Sequence, residues 1–256
     1  MSGRSLRDEE LLRYSRHLLL DDIGFEGQTR IFNSHILVIG AGGLGSPAAM
    51  YLACAGVGKM TLVDHDDVDL TNLQRQIVHT TASVGRSKVE SAKSALGRLN
   101  PHVDVRALAM RADTALLDTL VPGADVVLDC CDNFATRQAI NAACVRHCAP
   151  LVSGSAIQMD GQISVYDARN AASPCYACVF PPQVPPEEAS CATMGVFAPL
   201  VGIIGAMQAA EALKLVARVG EPLMGRLLML DGRSMEWTQV QTLRKAGCAI
   251  CHKDNC

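Results

Sequence analysis

The stretch HILVIGAGGLGSPAAMYLACAGVGKMTLVD, residues 35–64, decides the fold. An apolar run at 35–40 ends in glycines, a helix-like segment follows at 44–56, and a second strand-like run occupies 59–64. Glycines at such a turn let the backbone approach a phosphate, and the helix that follows offers free N–H groups. Asp64 ends the second strand about twenty residues later, where a carboxylate can bind both hydroxyls of a ribose. The stretch therefore predicts a nucleotide-binding unit, without indicating which nucleotide.

Strand-like and helix-like segments keep alternating as far as residue 155. The pattern predicts, in order, a helix at 85–99, strands at 103–108 and 124–130, a helix at 134–148 and a strand at 150–155. Beyond these it predicts one long helix, at 198–218, and strands at 161–167, 226–231 and 235–243. Such alternation is typical of a parallel, doubly wound sheet. We therefore expect an α/β fold, a Rossmann-like doubly wound, mainly parallel sheet continued by antiparallel strands.

The chain has 256 residues, and the later strands read as a continuation of the sheet. We therefore expect a single domain over 1–256. It would comprise a helical arm at 1–30, a nucleotide-binding half at 31–155 and a mixed-sheet half at 156–256. Residues 6–20 suit an amphipathic helix whose apolar face has nothing local to cover. We expect that face to pack on another element or on a second subunit.

Composition and charge indicate a soluble globular protein. Hydrophobic residues make up 49% of the chain and charged residues 19%, and the formal net charge is -3. That charge leaves no basic footprint for nucleic acid. The N-terminal run mixes acids and bases without an apolar core, and the longest apolar stretch is interrupted by Pro199, Gly202 and Gly205. We therefore expect a cytoplasmic protein without a membrane span.

Two C-x-x-C pairs occur among the eleven cysteines, Cys175 with Cys178 and Cys248 with Cys251. Each pair can give two thiolates to one tetrahedral ion, which predicts a structural zinc knuckle without an open coordination position. The alternative is that the pairs are accidental, and substitute ligands with less regular spacing are His252 and Cys256. We interpret the cysteines in apolar surroundings as small buried hydrophobes: Cys54, Cys130, Cys144 and Cys148.

Three charged residues follow the predicted strands. The carboxyl ends of strands in an open parallel sheet share one crevice, so we expect Asp132 to meet Gly42 and Asp64 there. A carboxylate at that place can hold Mg²⁺. Arg75 and Lys88 would put two cations near the phosphates, which suits a transition state in which charge grows on a phosphoryl group. The alternatives are solvated surface cations and, for Asp132, a compatible second role as a helix cap.

The chain contains, in order, the runs RYSRHLLL, ILVIGAGGLGSPAAMYLACAGVGKMTLVDHDDVDLTNLQRQIVH, VGRSKVESA, LDCCDN and PLVSGSAIQMDGQISVY. Together they resemble the MoeB/ThiF family of adenylyltransferases (HesA/MoeB/ThiF), relatives of the ubiquitin-activating enzymes, over nearly the whole chain. The resemblance implies that ATP is used to adenylate the C-terminal glycine of a ubiquitin-like sulfur-carrier protein ending in Gly-Gly. The adenylate would prepare the carrier for thiocarboxylate formation. The carrier would be a molybdopterin-synthase small subunit or a thiamine-pathway protein.

The resemblance also implies the role of individual residues. Asp64 would bind the ribose, Arg75 and Lys88 would contact the ATP phosphates, and Asp132 would serve Mg²⁺ and catalysis. Further nucleotide contacts would come from Gly40, Gly42, Gly43, Gly45, Thr71, Asn72 and Asn133. Two positions depart mildly from the family pattern, because Thr71 stands where Ser is common and Cys131 where Thr is frequent. The four C-x-x-C cysteines are supported as structural zinc ligands.

A homodimer is a further implication, because Arg16 would reach the ATP of the partner subunit. Its alternative role is a surface ion pair with Asp21 or Asp22. Cys191 follows a proline-rich loop and would either form a thioester or persulfide with the carrier or have no catalytic role. The chain ends soon after its C-x-x-C pairs, so we expect the sulfur to come from a separate donor protein.

Two other classes of protein share part of this pattern. An NAD-dependent oxidoreductase would share the glycine turn and Asp64, but would explain neither Arg75 and Lys88 nor the paired cysteines. A non-catalytic carrier-binding scaffold would lack the set Arg75, Lys88 and Asp132, all of which is present. The adenylating enzyme is therefore the preferred interpretation.

Overall fold

The computed structural model of the chain describes residues 4–183 and 194–252. The strands are β1 His35–Ile39, β2 Lys59–Val63, β3 Asp104–Leu108, β4 Val126–Asp129, β5 Leu151–Ile157, β6 Asp160–Tyr166, β7 Arg226–Asp231 and β8 Glu236–Gln241. Within the described ranges all eight belong to one sheet, in the order β3-β2-β1-β4-β5-β6-β7-β8. The first five strands run parallel, and β6, β7 and β8 continue the sheet antiparallel. The predicted α/β fold is confirmed, with strand ends shifted by at most two residues.

The helices are α1 Asp8–Arg13, α2 Ser15–Leu18, α3 Gly24–Phe32, α4 Gly45–Cys54, α5 Lys88–Leu99, α6 Thr114–Leu120, α7 Phe134–Arg146, α8 Tyr176–Val179 and α9 Ala198–Ala217. They cover both faces of the sheet because the side chains of a strand alternate between its faces. Ile36 and Val38 of β1 pack in the same core as α4, α5 and α9, whereas Leu37 and Ile39 pack with α6 and α7. The sequence patterns did not predict α6, whereas α3 lies largely within the helical arm expected at 1–30 and ends two residues beyond it.

The long apolar segment forms α9, as expected for a buried core helix. Its length and mean hydropathy of 1.6 would allow a membrane span, but just over half of the tested window, 56%, is buried in the protein. A Cβ on Gly205 would lie 2.3 Å from the Leu44 carbonyl oxygen, so glycine lets α9 pack directly on the start of α4. Helix α9 therefore packs against the residues at the end of the glycine turn.

The N-terminal arm differs from the single helix predicted at 6–20. Two short helices, α1 and α2, meet at Tyr14, whose side chain is 3% exposed. Its ring fills the space left by Gly56, and its hydroxyl accepts a hydrogen bond from Asn100 Nδ2 at 2.9 Å. Packing on another element is thus confirmed for part of the apolar face. Leu12 and Leu19, in contrast, are 77% and 71% exposed.

Candidate functional site

The carboxyl ends of β1, β2 and β4 lie side by side, since Ile39 pairs with Val63 on one side and with Asp129 on the other. The glycine turn (residues 40–45) follows β1, and the β4–α7 turn (residues 130–133) follows β4. The two turns are in close contact, because a Cβ on Gly40 would lie 2.7 Å from the Cys130 carbonyl oxygen. The sheet therefore brings the turn that carries Asp132 against the glycine turn.

The steric constraints on the glycines of the turn differ from one position to the next. Gly40 has φ +97°, and a Cβ on Gly45 would lie 1.9 Å from the Gly40 carbonyl oxygen, so both are required by packing of the turn on itself. A Cβ on Gly43 would lie 3.1 Å from Val201 of α9. Gly42 is the more open position, with the Gln76 amide nitrogen 3.5 Å from its ideal Cβ. Gly42 is therefore the least crowded of the four glycines.

Asp64 ties the end of β2 to the glycine turn. Its Oδ2 accepts a hydrogen bond from the Ala41 backbone N–H at 2.8 Å, and its Oδ1 accepts one from the Asp66 N–H at 2.9 Å. The half-buried carboxylate thus stands beside the turn, as the sequence predicted for a ribose ligand. Thr71 and Asn72 are occupied locally, since both bond to Asp69 around a short 3₁₀ turn.

Lys88 is a buried cation, only 7% exposed, and its Nζ donates to Asp66 Oδ2 at 2.7 Å. Burial alone would raise the pKa of Asp66, but the hydrogen bond and charge of Lys88 outweigh it and the pKa is lowered. The alternative of a solvated surface charge is therefore wrong for Lys88. Arg75 is half-buried, and its Nη1 donates to the Thr71 carbonyl at 3.2 Å.

The sequence suggested two roles for Asp132, metal binding and helix capping, and the structure gives the capping role to Asn133. The amide Oδ1 of Asn133 accepts a hydrogen bond from the Thr136 N–H at 2.9 Å, which caps α7. Asp132 is exposed and makes no hydrogen bond or ion pair within the described ranges. The helix-cap alternative for Asp132 is therefore wrong. An unpaired carboxylate beside the glycine turn fits the hard oxygen ligands that Mg²⁺ prefers.

A buried ion pair under the β4–α7 turn was missed by sequence reasoning. Arg137 Nη1 lies 3.1 Å from Asp129 Oδ2, and the side chains are 8% and 1% exposed. Burial would lower the pKa of Arg137, but the Asp129 carboxylate outweighs it and raises the pKa, so the guanidinium stays charged. Burial, reinforced by the same carboxylate, raises the pKa of the Cys131 thiol. The only signal in the sequence was an aspartate inside an apolar strand.

His79 was also missed, and it joins the glycine turn to α5. Its Nε2 lies 3.0 Å from the Ala41 carbonyl oxygen and its Nδ1 lies 2.9 Å from Ser91 Oγ. Burial lowers the pKa of His79, so the ring is neutral near pH 7 and bonds through both nitrogens. It thereby holds the helix that begins with Lys88 against the turn. Its signal was a histidine closing the run NLQRQIVH, which also carries Arg75.

Four cysteine sulfurs come together, as the two C-x-x-C pairs predicted. The sulfurs of Cys175, Cys178, Cys248 and Cys251 all lie within 4.8 Å of one another, and all four residues are buried. Neighbouring sulfurs are 3.4 to 3.9 Å apart, whereas Zn–S bonds of about 2.3 Å in a tetrahedron place sulfurs about 3.8 Å apart. The Lys245 N–H also points at Cys178 Sγ from 3.4 Å. The geometry and the donor set therefore fit a structural zinc ion.

The remaining cysteines and His252 agree with the sequence-based predictions only in part. Cys130 and Cys144 are buried as expected, but Cys54 is exposed at the end of α4 and Cys148 is half-buried, so the buried interpretation is wrong for these two. His252 is exposed and does not join the cysteine cluster. Cys191 and Cys256 lie outside the described residues.

Arg16 is exposed between two anchored neighbours. Tyr14 is buried, and His17 Nδ1 lies 2.9 Å from the Oε1 of Gln28, whose Nε2 in turn donates to the Ala55 carbonyl. Arg16 itself makes no ion pair with Asp21, Asp22 or any other residue of the described ranges, so the surface-pair alternative is wrong. The guanidinium is presented on a fixed arm and is free to contact a ligand or a second chain.

The doubly wound sheet, the glycine turn with its carboxylate and the adjacent cations define a nucleotide-binding α/β protein. The model of the ThiF family matches residues 14–250, so the chain belongs to the ThiF family. It is 44% identical over 247 residues to the molybdopterin-synthase adenylyltransferase of Escherichia coli strain K12, covering 96% of this chain and 98% of that protein. It is 45% identical over 250 residues to the sulfur carrier protein ThiS adenylyltransferase of the same strain, covering 98% of each.

A longer relative and two solved structures complete the comparison. The adenylyltransferase and sulfurtransferase MOCS3 of Drosophila grimshawi is 47% identical over 97% of this chain, which spans 56% of that protein. The structure of E. coli MccB with succinimide superposes with a TM-score of 0.81 at 24% identity, over 93% of this chain and 73% of that one. Selenomethionine PaaA superposes with a TM-score of 0.79 at 23% identity, over 96% and 77%. The two structures share the fold.

Proposed function

We propose that this protein uses ATP to adenylate the C-terminal glycine of a ubiquitin-like sulfur-carrier protein. The observation that carries the proposal is the carboxyl edge of the sheet, where Asp64 bonds to the glycine turn, Lys88 bonds to Asp66, and the turn that carries Asp132 lies against Gly40. Relatives that match along almost their full length are named adenylyltransferases of molybdopterin synthase and of the sulfur carrier ThiS. An oxidoreductase is disfavoured, since hydride transfer gives no task to a buried lysine and a free carboxylate at this edge.

The reaction requires placement and charge neutralisation more than covalent chemistry. The carrier's terminal carboxylate attacks the α-phosphorus of ATP, a new acyl–phosphate bond forms, and the bond to pyrophosphate breaks. Asp64 holds the ribose, and the phosphates face N–H groups of the glycine turn other than those of Gly40 and Ala41, which bond to Val63 and Asp64. Lys88 and Arg75 offset the charge on the phosphates and on the departing pyrophosphate. Mg²⁺ held by Asp132 would supply further neutralisation of the phosphate oxygens.

Arg16 completes this site from a second copy of the chain. Its side chain has no partner in the part of the chain that the structure describes, and exposed Leu12 and Leu19 flank it in sequence. Large exposed apolar side chains grouped in one segment favour an interface. In a two-fold dimer the same patch serves both chains, so each Arg16 would reach into the partner's site. The homodimer is thus part of the proposed enzyme.

The cysteine cluster holds a structural Zn²⁺ in this proposal. Its four ligands join α8 to the segment before the C-terminus, which lies beyond the edge strand β8. With all four positions filled by thiolates the ion has no place for a substrate, so its contribution is to stability.

The sulfur atom comes from a separate donor protein in this proposal. The relatives that this chain matches over 98% of their length are named adenylyltransferases, whereas the name of MOCS3 adds a sulfurtransferase. Cys191 is the candidate for a transient covalent link to the carrier. The similarities to the two E. coli adenylyltransferases are nearly equal and do not choose between carriers.

Exchange of labelled pyrophosphate into ATP tests the proposal directly. The purified protein is incubated with ATP, Mg²⁺ and either a molybdopterin-synthase small subunit or a thiamine-pathway carrier. We expect exchange that depends on one carrier and on its terminal Gly-Gly, with a carrier lacking those glycines as the control. Absence of exchange with every carrier, or reduction of NAD with a substrate, would contradict the proposed function.

A further inference from the structure

We propose that Arg137 is a positioning residue that fixes the backbone of the β4–α7 turn and so aims the Asp132 carboxylate at the nucleotide. The inference rests on the proposed function, because it concerns the placement of a residue in that site. Asp132 has no side-chain partner of its own in the described ranges. Its direction therefore depends on how firmly its backbone is held.

Arg137 and its ion-pair partner Asp129 together bond both backbone polar groups of Cys131, the residue before Asp132. Its Nη2 donates to the Cys131 carbonyl oxygen, which belongs to the peptide bond that enters Asp132. Its Nη1 lies 3.1 Å from Asp129 Oδ2 and 2.8 Å from the Gly154 carbonyl oxygen of β5. Asp129 Oδ1 accepts the Cys131 N–H at 3.2 Å, so the ion pair holds both polar groups of the Cys131 backbone.

The network under the turn is itself anchored to the sheet. Ser153 Oγ donates to Asp129 Oδ2 at 2.8 Å, and Gln208 Nε2 of α9 donates to the Asp129 carbonyl oxygen at 2.7 Å. On the far side of Asp132, the cap at Asn133 fixes the start of α7. The single residue left free between these two anchored points is Asp132. A guanidinium suits this task because its planar fork donates in two directions at once.

The alternative, purely structural role of Arg137 is to neutralise the charge of buried Asp129. The variant Arg137→Lys separates this role from the positioning of the turn. Lysine keeps a positive charge beside Asp129, but a single ammonium group cannot also reach the Cys131 carbonyl through a second prong. We expect carrier-dependent pyrophosphate exchange to fall between about tenfold and a hundredfold, as a small misplacement of a catalytic group does. In an Asp132→Ala background we expect the same change to cost less than about twofold, because the group that Arg137 positions is already absent.

A binding measurement provides the second readout and needs no carrier protein. Calorimetry would give the affinity for ATP with and without Mg²⁺ for the wild type and for Arg137→Lys. We expect the Mg²⁺-dependent gain in affinity to shrink, and the affinity without Mg²⁺ to stay unchanged, because Asp64, Arg75 and Lys88 are untouched. The experiment therefore decides this inference even where no carrier supports exchange.

Arg146→Lys is the matched control, since Arg146 lies on the same helix and pairs with Asp118 at 2.7 Å, away from the turn. It should leave exchange and ATP binding at wild-type levels. If Arg137→Lys fails to fold, Asp129→Asn combined with Arg137→Leu removes both charges together and permits the same comparison. An unchanged Mg²⁺ effect on ATP affinity, or an equal loss of exchange in both Asp132 backgrounds, would overturn the inference.

Discussion

Neighbouring residues of the β4–α7 turn differ in what holds them. The side chain of Asn133 caps α7, while Asp132 is exposed and has no partner among residues 4–183 and 194–252. Lys88, by contrast, is buried and paired with Asp66, so its ammonium group is held in position before any nucleotide binds. At the residue scale, the site therefore combines a preorganised cation with a carboxylate that is free to take a ligand.

Asp132→Ala should remove pyrophosphate exchange while leaving the fold intact. We expect a loss on the order of a hundredfold or more, because charge on the phosphates is then no longer neutralised through this carboxylate. The melting temperature should not change, since the exposed side chain makes no bond within the described ranges. Exchange assays and thermal unfolding would be measured on the same preparation.

Asp113→Ala is the matched control for that variant. Asp113 caps α6 by accepting the Leu116 N–H at 2.8 Å, so its loss should lower stability by about 1 kcal/mol and keep the exchange activity. Near-normal exchange by Asp132→Ala would remove this residue from the proposed mechanism.

At the scale of secondary-structure elements, the junction of the glycine turn with α4 depends on a close contact between two parts of the backbone. Gly45 begins α4 directly above the Gly40 carbonyl, and α9 supports the same region through Gly205. Both close contacts require glycine for steric reasons, whether or not a phosphate is bound. The glycines thus serve the packing of the turn as well as its ligand.

Gly45→Ala should destabilise the protein, because the new Cβ would lie 1.9 Å from a backbone oxygen that cannot move aside cheaply. We expect a loss of about 1–3 kcal/mol or more in the free energy of unfolding. Gly97→Ala is the control, since Gly97 lies in α5 with nothing within 4 Å of an added Cβ. That change should stabilise by about 1 kcal/mol. Denaturant unfolding would show equal effects of the two substitutions if the close approach were not real.

The cysteine cluster is the second device at this scale, and we expect one Zn²⁺ per chain. Cys251→Ser should release the metal and lower the melting temperature, because one of four buried thiolate ligands is lost. Cys54→Ser changes an exposed cysteine outside the cluster and should retain both zinc and stability. Elemental analysis of protein purified under reducing conditions tests this, and a protein without zinc would refute it.

At the scale of the whole molecule, the proposed function makes the N-terminal arm part of the active site. Its inner side is fixed by Tyr14 on Gly56, and its outer side leaves Leu12, Leu19 and Arg16 exposed. A second copy of the chain would cover the apolar side chains and bring an arginine to the triphosphate. The proposed active site is therefore shared between two chains.

Mixing two inactive variants tests the shared site. A heterodimer of Arg16→Ala with Asp132→Ala chains has one site that lacks both groups and one site that is intact. After complete subunit exchange we expect about a quarter of the wild-type activity, since half of the dimers are mixed and half of their sites are complete. Differently tagged chains would verify the exchange. Two inactive parents that exchange subunits without regaining activity would show that Arg16 does not act in trans.

Local patterns in the sequence determined the sheet, the glycine turn and the two C-x-x-C pairs, because strand and helix periods and the sterics of glycine act over a few residues. Only the tertiary structure decided which residues meet across long separations. It broke the arm at Tyr14 to fill the space at Gly56, and it gave the α7 cap to Asn133. It also buried Arg137 against Asp129 beneath Asp132. Such contacts depend on the packing of strands and helices against one another, and no period along the chain records them.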